Sequence, residues 1–186
     1  ATSQKPQAVI NALTNFYSHS NANVHRGLYY LSETASELYD SARAKVAQFF
    51  GAASPNNIVF TRNCTEALNL VAVSWARHKL KAGDEILVSD LEHHSNLLPW
   101  QEICKETGAR LKIFRSTTDN LFDEAGFRRQ LTNKSKLVAV SHASNVSGTI
   151  MPVQKIIALA HQQGALVVID GAQAAPHLAL NLQKLD

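Results

Sequence analysis

The chain has 186 residues, of which 45% are hydrophobic and 18% are charged. This is the composition of a globular protein, and it excludes a disordered chain, a collagen-like repeat and a small scaffold built on disulfides. Eighteen basic residues against fifteen acidic ones leave a formal charge of +3. Because the basic residues form no run, we expect no nucleic-acid or membrane-surface role.

The two cysteines, Cys64 and Cys104, are distant in sequence and have no CxxC spacing. They predict neither a disulfide framework nor a metal site, and they are typical of a reducing compartment. The first residues are too polar for a signal peptide, and no apolar run is long enough to span a bilayer. We therefore expect a soluble, cytoplasmic protein.

The N-terminal part of the chain has the pattern of helices. Apolar residues recur three and four positions apart at Ala35, Leu38, Ala42, Val46 and Phe49. Gly51 is placed to end this helix, and Thr34 with Glu37 resembles a capping box at its start. We expect a helical extension over about residues 1–56, packed against a sheet core over about residues 57–186.

The rest of the chain alternates between short apolar runs and amphipathic stretches. The runs predict strands at Ile58–Phe60, Glu85–Ser89, Arg110–Arg115, Lys136–Ser141 and Leu166–Asp170. Two of them are apolar without alternation, as in strands buried on both faces. Helices are predicted over Ala67–Trp75, from near Ser95 to Thr107, and around Ile156 up to Gly164. This order predicts an α/β fold with three layers, αβα, and a mostly parallel sheet.

In such a sheet, ligands bind beyond the carboxyl ends of the strands. The spacing of the eight glycines fits none of GxGxxG, GxxxxGK[ST] and GxSxG. This excludes the usual nicotinamide-binding, nucleotide-hydrolysing and serine-hydrolase sites.

Polar residues follow the predicted strands instead, and each has two interpretations. The helix start at Thr65 would bind an anion, or it is simply a helix capped by Asn63. One of the adjacent residues His93 and His94 would stack on an aromatic ligand, or it is a solvated or hydrogen-bonded loop residue. A metal ion shared by the two would be awkward, because neighbouring side chains diverge. Asn145 would donate to a ligand or stabilise a turn. Asp170 is a buried carboxylate that needs a cationic or hydrogen-bonding partner to remain charged, or it is a cap for the next segment.

Together the anion site, the histidine ring, the asparagine and the buried carboxylate match the phosphate, the ring, the phenolic oxygen and the pyridinium nitrogen of pyridoxal 5′-phosphate. Five segments then carry a resemblance: residues 23–27 (NVHRG), 65–67 (TEA), 92–96 (EHHSN), 144–148 (SNVSG) and 170–174 (DGAQA). Over essentially the whole chain, the sequence resembles the class V aminotransferase family, and within it the SufS/CsdA-type cysteine desulfurases.

The resemblance implies a role for each matching residue. Thr65 and the backbone at Cys64 would hold the cofactor phosphate, although relatives usually carry Thr at the position of Cys64. His93 would stack on the ring and move protons, and Asp170 would pair with the ring nitrogen. Two residues would contact the phenolic oxygen: Asn145 and Gln173. Two more would lie near the mouth of the site at a dimer interface: His25 and Arg26.

The resemblance also implies that the chain is an incomplete large domain of the pyridoxal-phosphate-dependent transferase fold (fold type I). The family's Schiff-base lysine and its small C-terminal domain, with the sulfur-accepting cysteine, would lie beyond Asp186. The chain alone is therefore expected to be inactive. Neither Cys64 nor Cys104 lies in the family's nucleophile motif, so neither is expected to carry the persulfide.

The activity implied is that of a cysteine desulfurase. It converts L-cysteine to L-alanine and retains sulfur as an enzyme-bound persulfide for iron–sulfur cluster assembly. Such an enzyme would be a homodimer that passes sulfur to an acceptor protein of the SufE type. Two alternatives stay open: another class V enzyme (a selenocysteine lyase, a kynureninase-like hydrolase or an aminotransferase), or a non-catalytic α/β binding domain.

Overall fold

A computed structural model describes residues 3–185 of the chain, which divides into two compact units at residues 59 and 60. The first unit contains α1 (Gln7–His19) and α2 (Tyr30–Phe50), followed by a 3₁₀ turn at Pro55–Asn57. Gly51 ends α2 with a φ of 63°, a left-handed conformation that glycine adopts at little cost. The predicted end of this helix is therefore confirmed.

The predicted start of α2 is wrong. The helix begins at Tyr30, so Thr34 lies inside it and caps nothing. A tertiary contact holds the additional first turn, because the buried Ser32 hydroxyl donates a hydrogen bond of 2.7 Å to the Asn23 carbonyl. Local cap signals cannot register a contact made by a distant carbonyl.

The second unit alternates helices and strands. Its strands are β1 (Glu85–Ser89), β2 (Arg110–Phe114), β3 (Ser135–Ser141) and β4 (Leu166–Asp170). Its helices are α3 (Cys64–Val71), which continues through a π-helical turn (Ala72–Ala76) into α4 (Arg77–Lys79), then α5 (Leu98–Thr107), α6 (Glu124–Gln130) and α7 (Val153–Gln162). The strands form one sheet in the order β2-β1-β3-β4, and every pairing is parallel.

Helices cover both faces of the sheet. Successive strand residues point to opposite faces, so β1 and β3 each contribute to two apolar clusters. One cluster joins strand residues to α3 and α5: Ile86, Val88, Leu137, Leu68, Trp100 and Ile103. The other joins strand residues to α6 and α7: Leu87, Val138, Val140, Phe127, Ile156 and Leu159. The predicted three-layer αβα fold with a parallel sheet is thereby confirmed.

The predicted strand at Ile58–Phe60 is wrong, because this segment joins no sheet in the described part of the chain. The Ile58 amide donates to the Pro55 carbonyl at 3.0 Å, and the Ile58 carbonyl accepts from Arg43 at 3.1 Å. A turn and a guanidinium thus use the backbone groups that a strand would need.

None of the described helices is both long enough and apolar enough to cross a membrane.

Glu85, at the start of β1, is a buried carboxylate that joins three parts of the sheet. It accepts hydrogen bonds from Thr132 at 2.7 Å and Ser135 at 3.4 Å, and it forms an ion pair with Lys112 at 3.3 Å. Burial opposes ionisation, but these donors outweigh it and hold the pKa of Glu85 below its usual value. The folded state therefore favours the charged form of this carboxyl group.

Replacement of Glu85 by Gln is expected to lower the free energy of unfolding by about 1–3 kcal/mol near neutral pH. Since the pKa is lower in the folded than in the unfolded chain, the contribution is complete above about pH 4.5 and declines as the pH falls through the folded pKa. Denaturant titrations at several acidic pH values measure this. An equal acid slope in the wild type and in E85Q would contradict it.

Candidate functional site

The start of α3 combines a capped helix with two donors that the helix leaves unused. The Asn63 side chain accepts the Glu66 amide at 2.9 Å, so the capping interpretation is correct for Asn63. The amides of Cys64 and Thr65 also lie in the first turn, where a helix supplies no acceptor. These two amides can bind an anion without disturbing the cap.

Two of the predicted segments face a common groove. Thr65 and His93 both line a cavity of about 380 Å³ beside α3 and α5. Its other walls are largely apolar and include Ala72, Val73, Leu98, Pro99 and Ile103. A cavity of this volume is in the range that small organic ligands occupy.

The orientation of His93 is fixed by Ser95. The His93 Nδ1 atom lies 3.1 Å from the Ser95 amide and 2.8 Å from the Ser95 hydroxyl. A backbone amide only donates, so Nδ1 accepts and the neutral ring carries its proton on Nε2. The centres of the His93 and His94 rings are 6.2 Å apart, and the ring planes are inclined to each other by 59°. Nε2 of His93 is thus the nitrogen left to exchange a proton.

Asp170, at the end of β4, is only 5% exposed. Its Oδ1 atom accepts the Ala172 amide at 2.9 Å and the Cys64 thiol at 3.3 Å. The first bond is the local turn contact that the capping interpretation predicts. Among residues 3–185 no donor reaches Oδ2, so one oxygen of a buried carboxylate is left for a ligand or water. A cationic N–H donor is the partner that such an oxygen favours.

The Cys64 thiol is held in its neutral form. Burial, together with the hydrogen bond to Asp170 and the charge of that residue, raises the pKa of Cys64 to about 12. At neutral pH the thiolate fraction is therefore more than about a thousandfold below that of an ordinary cysteine. Cys64 is a hydrogen-bond donor to Asp170 rather than a nucleophile.

Alkylation of Cys64 is expected to be slower than that of free cysteine by a comparable factor, because only the thiolate reacts. Timed exposure of the intact protein to iodoacetamide, followed by peptide mass spectrometry, measures the rate. Labelling of Cys64 at the rate of free cysteine would show that the thiol ionises readily.

Two further predicted residues lie elsewhere. The turn after β3 is stabilised by the Ser144 hydroxyl, which accepts the Val146 amide at 3.2 Å, so Asn145 is not needed for the turn and is exposed. Gln173 lines a second, smaller cavity together with Ser144 and Gly148. Neither Asn145 nor Gln173 lines the groove of Thr65 and His93, and neither do Cys64 and Asp170. That all of these residues contact the same ligand stays a prediction.

His25 and Arg26 belong to the first unit of the chain. His25 adopts a left-handed φ of 59°, and its Nε2 atom lies 3.2 Å from the Asp40 carboxylate. Its ring packs edge-on against Tyr39, with the ring centres 5.7 Å apart. The predicted place of these residues at the mouth of the site stays a prediction.

Sequence reasoning gave no role to Glu92, which joins the ends of two strands. Its carboxylate accepts from Asn96 at 2.6 Å, from the Ser141 amide at 3.0 Å and the Ser141 hydroxyl at 2.7 Å, and from the Ser89 hydroxyl. Ser141 pairs in register with Asp170. Burial raises the pKa of Glu92, and these hydrogen bonds lower it part of the way back. Only its position beside His93 signals this residue in the sequence.

Relatives were found by both sequence and structure. A probable cysteine desulfurase of Vibrio cholerae is 51% identical, and the match covers all of this chain and 46% of that protein. The apo structure of the cysteine desulfurase of Thermococcus onnurineus is 40% identical with a TM-score of 0.93, over 99% of this chain and 45% of that one. A C-DES mutant with glycine covalently linked to its PLP cofactor is 27% identical with a TM-score of 0.82, over 97% and 47% of the two chains.

The chain spans a little under half the length of the Vibrio cholerae relative. A family model, that of the class V aminotransferases, matches residues 1–186. The parallel sheet, the residues at its carboxyl edge and this match over the whole chain lead to one conclusion. The chain belongs to the class V aminotransferase family.

Proposed function

We propose that the intact protein containing this chain is a pyridoxal-phosphate-dependent cysteine desulfurase. It would take L-cysteine, release L-alanine and retain the sulfur as an enzyme-bound persulfide. The observation that carries this proposal is the buried Asp170, whose Oδ2 has no donor among the described residues, in a chain 51% identical to a probable cysteine desulfurase.

The residues present fit the cofactor. The Asp170 oxygen suits a protonated ring nitrogen, and the first-turn amides of Cys64 and Thr65 suit a phosphate. His93 lines the same groove as Thr65 and presents a flat ring. When bound, pyridoxal phosphate supplies an electron-withdrawing ring that stabilises negative charge on the substrate carbon.

Three residues of this chain would then have separate roles in the reaction. Asp170 keeps the proton on the ring nitrogen, because a buried carboxylate favours a cationic partner. Cys64 donates to the other side of that carboxylate and remains protonated. His93 holds and exchanges a proton at Nε2, since Nδ1 is occupied by Ser95.

Further parts of the proposal concern other contacts of the cofactor, the second copy and the sulfur acceptor. Asn145 and Gln173 would contact the phenolic oxygen, and His25 and Arg26 would face a second copy in a homodimer. The persulfide sulfur would pass to a SufE-type acceptor for iron–sulfur cluster assembly in the cytoplasm.

Incubation of the purified intact protein with L-cysteine tests the activity. We expect equal amounts of alanine and sulfide in the presence of a reductant, and a visible absorption band from the bound cofactor. Selenocysteine, kynurenine and a pair of amino donor and keto acceptor serve as competing substrates. A preference for one of them would overturn the substrate, and the lack of any cofactor band would overturn the enzyme class.

A further inference from the structure

A carboxylate at the start of β1 and another three residues beyond its end both bond to β3; Glu85 is buried and Glu92 is half-buried. Glu85 bonds to Ser135, the first residue of β3, whereas Glu92 bonds to Ser141, its last residue. The Glu85 end is remote from the groove, while Glu92 is adjacent to His93. We propose that Glu92 is a positioning residue that fixes the ring of His93, an inference that rests on the proposed function for its catalytic meaning.

The donors around Glu92 require a carboxylate. Oε1 accepts the Ser141 amide, and Oε2 accepts the Asn96 side-chain amide. The backbone amide cannot reverse its direction. Asn96 cannot flip either, because its carbonyl oxygen accepts the Trp100 indole N–H at 3.0 Å. Both Glu92 oxygens must therefore accept, which an isosteric glutamine cannot do because one of its two atoms donates.

The same hydrogen bonds hold the turn that orients His93. Glu92 and Asn96 bond to each other across the turn, and the Asn96 amide donates to the His93 carbonyl at 2.8 Å. Ser95 lies inside this turn, and its amide is the donor that fixes Nδ1 as an acceptor. Loss of the Glu92 anchor releases Ser95 and, with it, the preference of the His93 proton for Nε2.

The experiment compares Glu92→Gln with Glu85→Gln in the intact protein. Both variants lose a carboxylate that links β1 to β3, so both are expected to lower stability. Long-range ¹H–¹⁵N spectra of protein labelled in the histidine rings, recorded without cofactor, report which ring nitrogen of His93 is protonated, and His93→Gln assigns the signal. We expect an Nε2–H ring in the wild type and E85Q, and a mixture of tautomers in E92Q.

Affinity for pyridoxal phosphate gives a second measurement. We expect E92Q to bind about tenfold more weakly than the wild type, with no such loss in E85Q. In a His93→Gln background, Glu92→Gln is expected to have no further effect, because Glu92 acts through the ring of His93. If E92Q does not fold, Ser141→Ala removes one of the four donors and is read in the same way.

An unchanged His93 tautomer in E92Q would overturn the inference. So would a loss of pyridoxal phosphate affinity from Glu92→Gln that is as large in the His93→Gln background as in the wild type. A wild-type protein that forms no alanine would overturn the proposed function instead. The tautomer measurement is made without cofactor or substrate, so it remains decisive for Glu92 in either case.

Discussion

Replacing Asp170 by Ala in the intact protein is expected to weaken pyridoxal phosphate binding by about 10- to 100-fold. The substitution removes a charge-assisted hydrogen bond at a position that is only 5% exposed, where water replaces the lost charge poorly. Alanine formation is expected to fall by more than about a hundredfold, because the charge also stabilises the protonated ring during the reaction. Fluorescence titration with the cofactor and assay of alanine give the two values.

Asp170→Asn separates the charge from the local turn. An asparagine oxygen can still accept the Ala172 amide and the Cys64 thiol, so the turn after β4 should persist. We expect this variant to lose affinity and activity nearly as strongly as Asp170→Ala. Wild-type binding in Asp170→Asn, together with weak binding in Asp170→Ala, would show that Asp170 only stabilises the turn.

The largest loss of stability is expected from Trp100→Ala. Trp100 is fully buried in the cluster that joins α5 to β1 and β3, and its indole N–H supports Asn96. Its removal leaves a cavity and leaves the buried side-chain carbonyl of Asn96 without its donor. We expect the free energy of unfolding to fall by about 3–5 kcal/mol. Urea denaturation of the intact protein, followed by far-UV circular dichroism, measures this cost.

Two controls divide the cost between packing and hydrogen bonding. Trp100→Phe keeps most of the apolar contact but leaves the Asn96 oxygen without a donor, so we expect a loss of about 1–3 kcal/mol. Leu98→Ala, on the same helix but 50% exposed, is expected to cost less than about 1 kcal/mol. A loss of less than about 1 kcal/mol in the free energy of unfolding of Trp100→Ala would contradict this expectation and show that the cluster can repack.

All four strands were predicted to within one residue at each end, although only β1 and β3 are buried along nearly their whole length, and the edge strands β2 and β4 are partly exposed. β1 and β4 have the predicted bounds, while β2 ends one residue earlier and β3 begins one residue earlier than expected. Continuous apolar runs such as residues 137–140 leave little choice, because only a covered parallel strand removes all of their side chains from water. α6 was not predicted, since only one of its seven residues, Phe127, is buried and the apolar period is too short to detect.

The wrong predictions at Ile58–Phe60 and at Thr34 have one cause. At Ile58–Phe60 a β-branched run suggested a strand, and at Thr34 a polar pair suggested a helix start. In each case a hydrogen bond to a residue outside the segment decided the local conformation: Ile58 bonds to Arg43, and Ser32 bonds to Asn23. The summed intrinsic preferences of a few residues are similar in size to one such hydrogen bond, at about 1 kcal/mol, so one tertiary contact can override them.

The sequence by itself determined the class of fold and the residue types at the carboxyl edge of the sheet. Apolar periodicity is a local property, and His93, Asn145 and Asp170 lie at or shortly after strands that can be recognised. Thr65 instead lies in the first turn of a helix that follows no strand of the sheet. Tertiary structure alone decided which of these residues work together. The Cys64 thiol bonds to an aspartate 106 residues away, and Glu92 bonds to a serine 49 residues away. Such pairings depend on the order of strands in the sheet, and no local pattern encodes that order.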